Sequence, residues 1–124
     1  MIRSVLRQTN KDIARLVNTT RWSLCGLQVS WMEEKSLRQW VAANVASLAG
    51  CMLLGLDSIW TALLVALGGL VIIVELLNTA IEACVDYVST DHHPLAKKAK
   101  DVASAAVFSS AILWVSVWVV VLVS

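Results

Sequence analysis

Three carboxylates and an amide stand in a largely apolar stretch of this chain: Glu75, Asn78, Glu82 and Asp86. On a helix turning about 100° per residue they fall within about 80° of arc. An ionisable side chain inside a membrane helix is costly and marks a functional site by default. Two carboxylates on the water side of such a stripe can hold Mg²⁺, which takes oxygen ligands and commonly bridges phosphates. A partly desolvated carboxylate can also accept a proton from a hydroxyl. Glu33 and Glu34 are placed to complete a metal site, and Lys97, Lys98 and Lys100 to balance phosphate charge. The same stripe could equally pair with lysines and arginines between helices, so spacing alone leaves both readings open. No Gly-x-x-x-x-Gly-Lys-Ser/Thr loop is present, and the pattern by itself does not fix a reaction.

The elements that must carry these residues are helical. Ile13, Leu16, Val17, Thr20, Leu24, Leu27 and Trp31 recur at steps of three and four, which predicts an amphipathic helix over 4–31. Its basic face suits either the lipid surface or packing on the rest of the bundle. Three apolar stretches follow, over 37–56, 59–86 and 102–124, the second continuing as helix to about Val88. Each can supply the ~20 residues needed to cross the hydrocarbon core. The link at Asp57 and Ser58 is short enough to make the first two an antiparallel hairpin. The expected fold is an all-α membrane protein with three spans and one surface helix.

All 10 Lys and Arg lie before residue 39 or within 97–100, read here as a loop between the second and third spans. The positive-inside rule puts the N-terminus and the 87–101 segment in the cytoplasm and the C-terminus outside. Counting ~20 residues inward from Ile59 reaches Asn78, so Glu75 lies just inside the cytoplasmic edge. Glu82 and Asp86 then fall among headgroups and water. A polar stripe at that level suits a reaction between a lipid headgroup and a soluble substrate. Trp40, Trp60, Trp114 and Trp118 are candidate interfacial anchors or lipid contacts.

With 58% hydrophobic and 15% charged residues in 124, and a mean hydropathy of +0.73, the chain is too apolar for a soluble domain of its size. A net charge of +1 excludes a strong bias toward nucleic acid. Cys25, Cys51 and Cys84 show no metal spacing, and an odd count argues against a disulfide framework. The first thirty residues hold no continuous apolar core of the signal-peptide kind, so the N-terminus is expected to be retained.

The run ELLNTAIEACVD (75–86), followed by KDVASAAV (100–107), closely resembles the signature of the prokaryotic diacylglycerol kinases. WSLCGL (22–27) and WMEEKSLRQ (31–39) extend the resemblance, which covers about Arg15 to Trp118. It implies a homotrimer of three-span subunits in the bacterial inner membrane, using ATP and Mg²⁺ to convert diacylglycerol to phosphatidic acid. By resemblance Glu75 is the general base, Glu34 and Glu82 are metal ligands, and Asn78 is a supporting polar residue. Arg15, Trp22, Glu34, Glu82, Asp91, His92, His93, Lys100 and Asp101 match nucleotide-contacting positions. Gln28, Trp31, Arg38, Gln39, Glu75, Asn78, Ser104 and Trp118 match lipid-contacting positions. Departures from the family pattern are Cys25 in place of a lysine, Trp40 in place of a glutamate and Trp22 in place of a tyrosine, and Asp91-His92-His93 differs in detail.

The expected mechanism is direct in-line phosphoryl transfer without a phosphoenzyme, accelerated by positioning and electrostatics. Three spans cannot enclose such a site alone, so neighbouring subunits are expected to share it, with Ala103-Ser104-Ala105-Ala106 permitting close helix approach. The alternatives are an undecaprenol kinase and, from another class, a small oligomeric transporter with Glu75 as its coupling carboxylate. The transporter would consume no ATP.

Overall fold

A computed structural model describes the backbone of residues 2–123 and the side chains of residues 11–123. It contains helices α1 (Ile2–Glu33), α2 (Lys35–Leu53), α3 (Ser58–Val88) and α4 (Pro94–Val123), and no strand among the described residues. The chain forms two compact units, α1 by itself and the α2–α4 bundle that begins at Glu34.

Along α1 the apolar face predicted from the sequence leaves Ile13, Leu16, Val17, Leu24 and Leu27 exposed. Between α1 and α2 only Glu34 leaves the helical conformation, at φ −95° and ψ 111°. The α2–α3 turn is built locally. Gly55, at φ +65°, takes the left-handed position that favours glycine. The Leu56 N–H then reaches Cys51 O at 3.0 Å and the Gly55 N–H reaches Met52 O at 3.2 Å, a Schellman close to α2. Asp57 opens α3 by accepting from the Ile59 and Trp60 N–H groups at 3.0 and 2.9 Å.

Helix α4 begins eight residues earlier than its apolar run. Pro94 occupies the first helical position, where its missing N–H is no loss. This corrects the reading of 87–101 as a loop: only residues 89–93 are non-helical, and Lys97, Lys98, Lys100 and Asp101 sit in the opening turns of α4. Lys97 pairs there with Asp101, four residues on.

α3 and α4 run antiparallel. Lys100 on α4 meets Asp86 on α3, and Gly68 on α3 faces Trp114 on α4. The core gathers Cys51, Leu64, Val71, Val107 and Trp114. α2 joins it through Asn44, whose amide donates to Gly68 O at 3.1 Å and to Trp40 O at 2.9 Å. The approach is tight: a Cβ on Gly68 would lie 2.0 Å from Asn44 Oδ1 and 2.9 Å from Trp114 Cζ2.

Among the described residues α3 and α4 are long and apolar enough to cross a membrane. Only 22% and 17% of their most apolar windows are buried, unlike the core helices of a soluble protein. α2 is shorter, opens with Lys35, Arg38 and Gln39, and carries Asn44 and Ser47, so it falls short of that measure. The final residue of the predicted third span, Ser124, lies outside the described residues.

Candidate active site

The predicted face of α3 grades from dry to wet. Glu75 is buried, with 4% of its surface exposed, Asn78 and Glu82 are half-buried, and Asp86 is exposed. Glu75, Asn78 and Glu82 line one cavity of about 360 Å³ with Glu34 and Ser36 from the start of α2 and Ser104 from α4. Trp40, Val107 and Phe108 complete it. Glu34 enters because its extended backbone breaks the helix there while its side chain makes no cap hydrogen bond. Asn78 Nδ2 donates to Glu82 Oε1 at 3.0 Å, which orients that carboxylate. The amide oxygen of Asn78 is buried without a hydrogen-bond partner, an acceptor left for a hydroxyl or a cation.

A second, polar cavity of about 260 Å³ lies where α3 ends and α4 begins, lined by Asp86, Asp91, His92, His93, Lys97, Lys100 and Asp101 among others. Lys100 Nζ donates to Asp86 Oδ1 at 2.6 Å. His93 Nδ1 accepts from the Leu95 N–H at 3.2 Å and its carbonyl from the Lys97 N–H at 3.0 Å, so this histidine caps α4 as it faces the cavity. An apolar hollow of about 650 Å³ adjoins, with Val85, Val88, Leu95, Ala96 and Ala99 on its walls beside His92 and His93.

Most residues expected from the sequence therefore fall into two neighbouring groups, the carboxylates with Ser104 and the loop residues with Lys100 and Asp101. Others lie elsewhere. Arg15, Trp22, Gln28 and Trp31 lie on α1. Arg38 and Gln39 lie near the start of α2 without lining the carboxylate cavity. Trp118 stands about 21 Å along α4 from Ser104 at 1.5 Å per residue. It packs over Gly50 and donates to Ser47 Oγ at 2.9 Å. Ser36, Trp40, Val107 and Phe108 were not singled out from the sequence as cavity residues. Their signal was helical spacing, since Trp40 follows Ser36 by one turn and Val107 and Phe108 follow Ser104 by one turn.

Among the described residues no three His, Cys, Asp or Glu side chains come together as a ready-made metal site. Mg²⁺ does not require one, because it commonly takes one or two carboxylates and completes its shell with water and phosphate. Glu34, Glu82 and the unpartnered Asn78 oxygen fit that demand.

A helical bundle with two membrane-length apolar helices and a carboxylate-lined cavity suits a membrane enzyme. Its family is given by sequence: residues 21–122 match the prokaryotic diacylglycerol kinase family, and the chain belongs to it. The chain is 41% identical to a diacylglycerol kinase of Pseudomonas aeruginosa over 89% of each chain. It is 40% identical to that of Escherichia coli K12 over 87% of this chain and 88% of the relative. With the diacylglycerol kinase of Helicobacter pylori 26695 the identity is 39%, over 87% and 84%. Family membership makes the chain a lipid kinase with ATP as phosphoryl donor.

Proposed function

We propose that the chain phosphorylates the free hydroxyl of diacylglycerol at the cytoplasmic face of the bacterial inner membrane, yielding phosphatidic acid. The observation that carries this reading is the single cavity that gathers Glu75, Asn78, Glu82, Glu34 and Ser104, with the basic end of α4 beside it. Glu75 takes the proton of the lipid hydroxyl as its oxygen attacks the γ-phosphorus in line, and ADP leaves. Asn78 holds Glu82 in place and offers its free amide oxygen to the same cavity. Lys100 meets phosphate oxygens, keeping Asp86 as a partner through another of its three donors. The adjoining apolar hollow beside His92 and His93 suits a flat base. Asp91 and Asp101 add to the nucleotide contacts of the bundle in this reading, and for Arg15 and Trp22 on α1 that role rests on the family resemblance alone. Gln28, Trp31, Arg38, Gln39, Ser104 and Trp118 serve the lipid. Mg²⁺, held by Glu34 and Glu82, would neutralise polyphosphate charge when bound.

In this reading α2 also crosses the membrane, as the first of three spans, and the chain works as a homotrimer. The largely uncovered apolar surface of α3 and α4 supports further burial against lipid and other subunits, and the small residues 103–106 allow close packing. The N-terminus and the 89–93 loop face the cytoplasm. In a cysteine-free background, a cysteine at Ser58 should label from outside the cell and one at Ala96 should not. Labelling of Ala96 from outside would reverse the orientation.

The deciding experiment is γ-phosphoryl transfer from labelled ATP by purified protein to a panel of lipid alcohols. Diacylglycerol should be the preferred acceptor, and phosphorylation of a polyprenol alone would move the activity to that lipid. Glu34→Gln and Glu82→Gln should each raise the Mg²⁺ requirement steeply, because a neutral amide is a poorer ligand for a hard cation. An unchanged Mg²⁺ dependence in both would remove them from the metal site.

A further inference from the structure

The carboxylate cavity has one wall of a different kind. Beside its acidic residues stand Trp40, half-buried, Val107, 7% exposed, and Phe108, 67% exposed. Trp40 is anchored with respect to the rest of the site. Its carbonyl accepts from Asn44 Nδ2 at 2.9 Å, and the same amide group donates to Gly68 O at 3.1 Å, two turns before Glu75 on α3. The turn of α2 that bears the indole is thereby tied to the helix that bears the base.

Resting on the proposed lipid kinase reading, we propose that Trp40, flanked by Phe108, is the acceptor-specificity determinant and seats the glycerol–ester neck of an uncharged lipid against Glu75. Three properties of the cavity argue for this class of acceptor. Its charged lining is acidic, with Glu34, Glu75 and Glu82 and no Lys, Arg or His, so it offers no side-chain cation to pair with an anionic headgroup and suits an uncharged one. Its volume of about 360 Å³ is at the low end of the usual about 300–1,000 Å³ for ligand pockets, enough for a polar neck but not for acyl chains. The exposed ring of Phe108 offers those chains a path along the outside of α4. An indole presents an apolar face together with a single N–H donor, a combination suited to a group that is half hydrocarbon and half ester carbonyl. A linear isoprenoid alcohol carries no carbonyl to receive that N–H.

The test uses the full chain in detergent micelles at saturating MgATP, with Trp40→Ala, Trp40→Phe and Phe108→Ala beside the unaltered protein. Acceptors are short- and long-chain diacylglycerols, the short-chain diether analogue without ester carbonyls, and a linear isoprenoid alcohol. Trp40→Ala should lower kcat/KM for the short-chain diester by about 10- to 200-fold, the range typical of lost pocket contacts, with KM for MgATP unchanged. Trp40→Phe should recover part of the rate, yet share the loss of preference for diester over diether, because the N–H is gone. Phe108→Ala should raise KM for the long-chain more than for the short-chain diester. Unchanged diester kinetics in Trp40→Ala, an equal loss on every acceptor, or a retained diester preference in Trp40→Phe would each overturn the proposal. Failure of the unaltered protein to phosphorylate any lipid would instead overturn the kinase reading beneath it.

Discussion

Glu75→Gln is expected to lower kcat by about 10²–10⁴-fold, the range for removal of a positioned general base. The amide keeps the shape of the side chain and much of its hydrogen-bonding capacity but cannot take the proton from the lipid hydroxyl. Binding of MgATP should change little, because Glu75 is not among the proposed nucleotide contacts, which on α3 begin two turns on at Glu82 and continue through 89–101. The fold should survive as well. Glu75 is 4% exposed, and exchanging a buried carboxylate for a neutral amide relieves a desolvation penalty. If Glu75 instead served only to hold helices together, the pattern would invert, with a lowered thermal midpoint and near-normal turnover. Rate and midpoint measured on the same detergent-purified variant separate the two, and near-normal turnover would sink Glu75 as the base.

The second large effect concerns packing at adjacent glycines. Gly68→Ala should destabilise the bundle by about 1–3 kcal/mol, as overpacking of a tight contact does. The new methyl would fall 2.0 Å from Asn44 Oδ1 and 2.9 Å from Trp114 Cζ2. Relief requires displacing the Asn44 amide that bridges α2 and α3, or the buried Trp114 ring. Gly69 is the control, because a Cβ there meets nothing within 4 Å. Gly69→Ala should be neutral or stabilising by up to about 1 kcal/mol through helix propensity alone. Thermal midpoints of the two variants should therefore move apart, and equal midpoints would show that the α2–α3–α4 contact yields easily.

Much of this organisation was legible because hydropathy and helical period are strong signals in so apolar a chain. The reading of 59–86 falls within two residues of α3 at each end, and 4–31 within two of α1. The stripe from Glu75 to Asp86 was visible for the same reason, since four polar side chains on one arc stand out against an apolar helix. The start of α4 was missed because hydropathy reports where the chain becomes apolar and not where its backbone hydrogen bonds begin. Lys97, Lys98, Lys100 and Asp101 hid two helical turns that Pro94 opens. The apolar wall of the cavity was hidden for a converse reason. Trp40, Val107 and Phe108 look like any other membrane-helix residues until the packing of α2 and α4 brings them beside Glu75. The bridging role of Asn44 depends on the close approach that Gly68 permits, and no one-dimensional pattern encodes that pair.

Phe108 borders the carboxylate cavity while two-thirds of its own surface remains open on a membrane-length helix. An acceptor that passes this ring arrives sideways, within the plane of the bilayer, whereas the phosphoryl donor arrives from bulk water. The two substrates therefore obey different concentration scales. The donor is counted per unit volume, and the acceptor as a mole fraction of the surrounding amphiphile. Adding inert detergent or phospholipid at constant total acceptor dilutes the second substrate and leaves the first untouched, so the reaction slows although nothing has bound the protein. An apparent Michaelis constant for the lipid quoted in molar units would describe the micelle preparation, and only its surface fraction describes the site.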